Sequence, residues 1–191
     1  MQNTVSIMIV GVGGQGTLLA SKILGNVFIR LGYDVKVSEV HGMSQRGGSV
    51  VTYVLFGEKV FSPIIDPKEA DFILSFEQLE ALRWVDYLKK DGTMIVNTQK
   101  ISPMPVITRA TKYPEEILKT LGELSVNLVQ VDALDIAKSV GSVKAVNVVM
   151  VGILAKYLKI EKQVFLDAIG ETVPPKFLEM NLKAFEQGFK L

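Results

Sequence analysis

The sequence predicts a three-layer α/β fold, a mainly parallel sheet with helices on both faces, and three observations predict it. Short apolar runs rich in β-branched residues alternate with amphipathic stretches over most of the chain. The first such run ends at a glycine-rich turn that opens a helix. From Ala145 onward the pattern is helical to the end. Strands that alternate with helices call for parallel pairing with crossovers on both faces.

Each element has its own signal. Val5 to Val10 (VSIMIV) is an apolar run ending at Gly11 and reads as a buried strand. Thr17 to Leu31 carries Leu19, Ile23, Val27 and Leu31 on one face, with Leu24 and Phe28 beside them, and reads as an amphipathic helix with Gly32 at its C-cap. Asp34 to Val40 alternates as a second strand, which completes a Rossmann-like βαβ start. Ser49 to Phe56 is a further strand, and Gly57-Glu58-Lys59 reads as a turn into Val60-Phe61, a hairpin. Strands are expected at Phe72 to Phe76, Thr93 to Asn97 (after an Asp91-Gly92 turn) and Asn127 to Val131. Helices are expected at Glu77 to Leu88, Glu115 to Leu124, Leu134 to Val140, Ala145 to Leu158, Glu161 to Ile169 and Lys176 to Phe189. Ile101 to Pro114, with three of the seven prolines, reads as an exposed connection. With no linker or internal repeat, residues 1–191 are expected to form one domain.

The helix from Ala145 to Leu158 is apolar on both sides. Val146, Val149, Met150, Ile153, Leu154 and Tyr157 form the expected core stripe, and Ala145, Val148, Val151, Gly152 and Ala155 form an opposite face of small apolar residues. Such a helix is buried all round, either by other helices of this chain or by another subunit.

Composition excludes several function classes. Lys and Arg total 21 against 20 Asp and Glu, so the basic excess of a nucleic-acid binder is missing. The charge-free stretch Ala145 to Ala155 is too short to span a bilayer, and the N-terminus has no basic start followed by an apolar run. A cytoplasmic protein is the expectation. There is no cysteine and one histidine, His41, which rules out a disulfide framework, a thiolate zinc site, a cysteine-ligated cluster and a His-rich metal site. A carboxylate site for Mg²⁺ or Ca²⁺ has no recognisable loop. Redox or carbon–carbon bond chemistry would have to use a bound cofactor or a partner's.

Two loops carry candidate site residues. Gly11-Val12-Gly13-Gly14-Gln15-Gly16 fits G-x-G-x-x-G between a strand and a helix. Gly11 suits the tight turn, Gly13 the close approach of a ligand, and Gly16 close packing of helix on sheet, while the helix N-terminus suits a phosphate. Glu39 stands where a dinucleotide-binding fold places its ribose contact. The same glycines serve equally to let a strand and helix cross closely, and three readings stay open: a structural turn, a dinucleotide site, or a site for another anionic ligand. The second loop, Glu39 to Ser49, holds His41, Ser44, Gln45, Arg46, Gly47 and Gly48. Arg46 offers a planar donor fork for carboxylate or phosphate, Ser44 and Gln45 add neutral hydrogen-bonding groups, and Gly47-Gly48 opens the backbone to close approach. Leaving the C-terminal ends of adjacent parallel strands, both loops should face one crevice.

GVGGQGTLLASKILG followed by SEVHGMSQRGGSVV closely resembles the gamma-type domain of the 2-oxoacid:ferredoxin oxidoreductases, and most of all the small subunits of the indolepyruvate branch. Ser62-Pro63, Phe76-Glu77, Val96-Asn97-Thr98, Ala145-Val146-Asn147, Pro174-Pro175-Lys176, Asn181 and Ala184-Phe185 follow in the expected order, so the resemblance covers essentially the whole chain. It implies a subunit of an enzyme that oxidatively decarboxylates a 2-oxoacid, joins the acyl group to coenzyme A and reduces ferredoxin. It implies that thiamine diphosphate, Mg²⁺ and [4Fe-4S] clusters sit on a large partner subunit, within a heterotetramer. The implied substrates are aryl pyruvates; a gamma subunit of a pyruvate or 2-oxoglutarate enzyme is the near alternative, and a stand-alone dinucleotide-binding regulatory domain the remoter one. On this view the chain holds no catalytic residue or metal. Gly11, Gly13, Gly14, Gln15 and Gly16 with Ser44, Gln45, Arg46, Gly47 and Gly48 form a crevice that takes the phosphates of coenzyme A or docks the partner. Arg46 is then the anion contact and His41 a loop-positioning residue. Alone, the subunit is expected to be colourless and inactive, and is a candidate for self-association.

Overall fold

A strand with an unbroken apolar run must be covered on both faces, and this places β1 (Val5–Val12) inside the sheet, with Ile7, Met8, Ile9 and Val10 fully buried. The computed structural model describes residues 4–41, 47–124 and 126–191. On one side β1 pairs in parallel with β4 (Ala70–Ser75), which continues in parallel to β5 (Leu88–Asn97) and β6 (Asn127–Val131). On the other side it pairs antiparallel with β3 (Ser49–Gly57), and β3 pairs antiparallel with β2 (Asp34–His41). The order is β2-β3-β1-β4-β5-β6, a six-stranded mixed sheet that is mostly parallel.

Helices cover both faces. Ile7 and Ile9 of β1, Val54 and Phe56 of β3 and Leu74 of β4 face a core built with α1 (Thr17–Arg30), α5 (Ala133–Ser139), α6 (Val146–Leu158), α7 (Lys162–Thr172) and α8 (Pro175–Lys190). Phe28 of α1 stacks on Phe56 at 3.6 Å between ring centroids, clamping that helix to β3. Met8, Val10, Val51, Tyr53 and Ile73 face the opposite layer. Ala81 of α2 (Gln78–Trp84), Ile117 and Leu121 of α4 (Ile117–Glu123), and Val60 and Ile65 of the loop after β3 cover that side. The remaining helix, α3 (Met104–Ile107), is a short turn within the proline-rich connection.

Several expectations need correction. Val60-Phe61 forms no strand; the Val60 N–H donates to the Asp34 carboxylate (2.9 Å), and the hairpin is β2 with β3, closed by the second loop. The adjacency expected of the first two strands fails for the same reason, because β3 lies between β1 and β2. Asp91-Gly92 is not a turn before β5 but lies inside it, with Asp91 in the left-handed region (φ 66°). The helix expected to Leu88 ends at Trp84, followed by a 3₁₀ turn, Val85–Tyr87.

Another helix of this same chain covers the small-residue face of α6. α8 crosses it so closely that a Cβ on Gly152 would lie 2.3 Å from the Phe185 carbonyl oxygen, and one on Gly188 would lie 2.1 Å from that of Val149. The two glycines are a matched pair that lets the backbones touch. Adding a methyl at either position forces the helices apart, at a cost of about 2–3 kcal/mol. Gly152→Ala and Gly188→Ala should each lower the thermal midpoint of the chain by roughly 5–10 °C, as followed by circular dichroism.

Candidate functional site

The glycine turn sits at the C-terminal end of β1, and side chains from three other places fill the space beneath it. Gln15 turns back under its own loop: its Oε1 accepts from the Val12 N–H (2.8 Å), and its Nε2 donates to the Phe76 carbonyl (2.9 Å) and to Gln99 Oε1 (3.3 Å). Gly11 is glycine because a Cβ there would stand 2.9 Å from Gln15 Oε1 and 3.2 Å from Phe76 Cβ. Gly16, the N-cap of α1, adopts φ 82°, and a Cβ on it would stand 2.4 Å from Asn147 Nδ2. That amide, from the first turn of α6, donates to the Gly16 carbonyl (3.1 Å). Gly11 and Gly16 are thus explained by the protein's own packing.

Gly13 has a different role. Its N–H donates to the Gly48 carbonyl (2.8 Å), and its carbonyl accepts from the Gly47 N–H (3.3 Å). These bonds extend the β1–β3 ladder one step beyond the Val12↔Ser49 pair. The two loops therefore do meet at one edge, as expected, through β3 rather than through neighbouring parallel strands. The backbone amide that a dinucleotide's pyrophosphate would approach is committed to Gly48. Ser44, Gln45 and Arg46 lie outside the described residues.

Three clefts border this junction. One of about 350 Å³ is lined by Gly13, Gly14, Gly16, Thr17, Glu39 and His41. His41 Nδ1 lies 3.4 Å from Glu39 Oε1, so this cleft has a carboxylate on its wall and suits an anion poorly. A second, of about 700 Å³ on the far side of the turn, is lined by Gly14, Gln15, Gly47, Gln99, Lys144 and Asn147 among others; it combines amides, a cation and apolar walls. A third, of about 250 Å³, opens between Gly47-Gly48-Ser49 and Pro103-Met104-Pro105, with Glu77, Glu80 and Arg83 on its walls.

A family model for pyruvate ferredoxin/flavodoxin oxidoreductase matches residues 6–191. The chain belongs to the pyruvate ferredoxin/flavodoxin oxidoreductase family. It is 42% identical over 190 residues to the indolepyruvate oxidoreductase subunit IorB of Thermococcus kodakarensis, with 97% of this chain and 94% of that one covered. The IorB subunit of Pyrococcus horikoshii is likewise 42% identical over 190 residues, with the same coverage. Among solved structures, the gamma subunit of a keto/oxoacid ferredoxin oxidoreductase from Geobacter sulfurreducens superposes with a TM-score of 0.73 at 23% identity, covering 97% of this chain and 96% of that one, a likeness of fold.

In this member of the pyruvate ferredoxin/flavodoxin oxidoreductase family, no group of three or more His, Asp or Glu side chains stands ready for a metal among the described residues. With no cysteine the chain offers no thiolate to an iron–sulfur cluster, so the clusters of such chemistry do not fit here. Among the described residues no helix is long and apolar enough to cross a membrane.

Sequence reasoning named the two loops and missed what holds them. Asn97, fully buried at the end of β5, donates to the Phe76 carbonyl (3.1 Å) and accepts from the Ala133 N–H (3.1 Å), tying the ends of β4 and β5 to α5. Glu77 caps α2 by accepting from the Glu80 N–H (2.9 Å), and its other oxygen accepts from the Ile101 N–H (3.1 Å) and the Tyr113 hydroxyl. Burial, with Glu77 as its acceptor, pushes the Tyr113 phenol far above its ordinary value. Burial also raises the Glu80 carboxyl, against the opposing pull of Ser49 and Arg83. Glu77, Asn97 and Asn147 stood in the sequence only as members of the family-like motifs, with no role attached, and Glu77 proves to be the N-cap of α2 rather than its first residue; nothing local marked Gln99 or Glu80.

Two outcomes follow from these contacts. Gly16→Ala should cost about 1–2 kcal/mol for the left-handed backbone alone, and more for the collision with Asn147. In urea unfolding, Gly16→Ala with Asn147→Ala should be less destabilised than the sum of the single variants, because only one of the two strains remains. Because the folded-state value of Glu80 is raised above its ordinary 4.5, the folded chain holds a proton that the unfolded chain has lost in the window just above that value. The contribution of Glu80 is therefore greatest below its ordinary value and declines as the pH rises through the raised one. Unfolding measured across weakly acidic pH should show Glu80→Gln gaining on the native chain as pH increases.

Proposed function

We propose that this chain is the small, cluster-free subunit of an indolepyruvate:ferredoxin oxidoreductase. The observation that carries this reading is likeness at 42% identity to indolepyruvate oxidoreductase subunits over 97% of the chain, in a sequence with no cysteine of its own. The whole enzyme converts an aryl pyruvate, coenzyme A and oxidised ferredoxin into acyl-coenzyme A, CO₂ and reduced ferredoxin. Thiamine diphosphate, Mg²⁺ and [4Fe-4S] clusters belong to the large subunit, which is the partner in a cytoplasmic heterotetramer.

The part assigned to this chain is to present the joined loop edge, Gly11 to Gly16 with Ser44 to Gly48, to the large subunit near its active site. Coenzyme A, if shared, would offer its phosphates to Arg46 as the anion contact, and Lys144 lines the second cleft. The commitment of the Gly13 amide to Gly48 weighs against a stand-alone dinucleotide-binding domain.

Affinity isolation of the chain from anaerobic lysate of its source tests the reading. The expected result is a brown complex with a large thiamine- and cluster-bearing subunit that reduces ferredoxin when given indolepyruvate and coenzyme A. A colourless chain recovered alone overturns it. In the assembled enzyme, Arg46→Ala should raise KM for coenzyme A or weaken assembly by about tenfold, the weight of one lost charge-assisted contact. If neither quantity moves, Arg46 is not the contact.

A further inference from the structure

The second loop returns to the sheet at Ser49, the first residue of β3. There its hydroxyl donates to Glu80 Oε2 at 2.5 Å, a contact joining residues 31 apart in sequence. Glu80 lies in α2, in the opposite layer, and is 3% exposed. Arg83, one turn on in the same helix, reaches its other oxygen at 3.2 Å, and Glu77 fixes the Glu80 backbone by capping the helix. The Trp84 indole N–H also lies on this carboxyl group and favours its charged form, without completing a hydrogen bond of good geometry. A carboxylate this deeply buried is costly, and a merely structural acceptor for a serine would not require one. Neither loop motif contains Glu80, and the wider cluster of Glu77, Glu80 and Arg83 walls the cleft that Gly47, Gly48 and Ser49 also line.

We infer that Glu80 is a positioning residue for the second loop. Through Ser49 it latches the loop's exit to α2, and this fixes where Gly47 and Gly48 meet Gly13. The bond anchors the residue immediately after Gly47 and Gly48. Arg83 balances the charge so that the carboxylate can remain an acceptor. The latch thereby presets the edge that the large subunit meets, and this consequence rests on the docking role proposed above.

The test has two arms, so that the latch and the docking role fail separately. Amide hydrogen exchange of the intact chain is measured at Gly13 and Gly47, the two donors of the loop junction, for Ser49→Ala, Glu80→Leu and Glu80→Gln. Exchange at both amides should accelerate roughly tenfold or more in the first two variants, the effect of losing a hydrogen bond to a charged group. The Gln variant keeps an acceptor for Ser49 and should lie closer to the native chain. Exchange in the core of β1, at Ile7 to Ile9, should not change, which separates a local release from global loosening. If Gly13 and Gly47 exchange at native rates in Ser49→Ala, or if β1 accelerates equally, the latch is wrong. Affinity of the same variants for the large subunit is then measured by titration. A tenfold weakening in Ser49→Ala supports the latch as the setting of the docking edge. Accelerated exchange with native affinity keeps the latch and overturns the docking role of the loop.

Discussion

Because β3 runs antiparallel between β1 and β2, the chain that leaves the end of β2 must turn round and re-enter the sheet beside β1. This one insertion determines most of what is distinctive at the C-terminal edge. It carries the second loop to the glycine turn, and it lets Gly47, Gly48 and Gly13 continue the ladder past the last strand residues. In a fully parallel arrangement the Gly13 amide would face open space, and the familiar phosphate role would be open to it. Here that donor is satisfied within the protein, as buried or partly buried backbone groups must be.

The same edge has to satisfy the ends of β1, β4 and β5 and the starts of α1, α2, α5 and α6 at once. It does so with side-chain amides and carboxylates of its own. Gln15, Asn97 and Gln99 converge on the Phe76 carbonyl region, Asn147 closes the Gly16 carbonyl, and Glu77 caps α2 while accepting from Ile101 and Tyr113. Such networks are costly when partly made and specific when complete, so they hold one loop geometry against alternatives. The apolar side of the molecule uses the opposite device. α6 and α8 approach until backbone touches backbone, with Gly152 and Gly188 in place of side chains.

These two features divide the molecule into a closely packed helical side and a polar loop edge. The side built from α6 and α8 is closed by backbone-to-backbone packing within the chain. The loop edge is built on an internally satisfied base and carries its residual polarity outward, in clefts with Lys144 on one wall and Glu39 with His41 on another. This member of the pyruvate ferredoxin/flavodoxin oxidoreductase family has no cysteine and so offers no thiolate ligand to an iron–sulfur cluster.

Local sequence by itself determined the fold class, most strand and helix positions, the buried character of α6 and the glycine turn between β1 and α1. Those properties follow from periodicity and from glycine chemistry, which act over a few residues. Asn127–Val131 could be read as β6 for that reason, and Thr17–Arg30 as α1 to within a residue. Only the tertiary structure decided the pairing order, because nothing within Ser49–Gly57 states which neighbour it prefers or in which direction. It likewise decided that α8 covers α6, that Asn147 meets Gly16 across 131 positions, and that Glu80 receives Ser49. A single amide or carboxylate has no period and no local partner, so its role appears only when distant segments are brought within hydrogen-bonding distance.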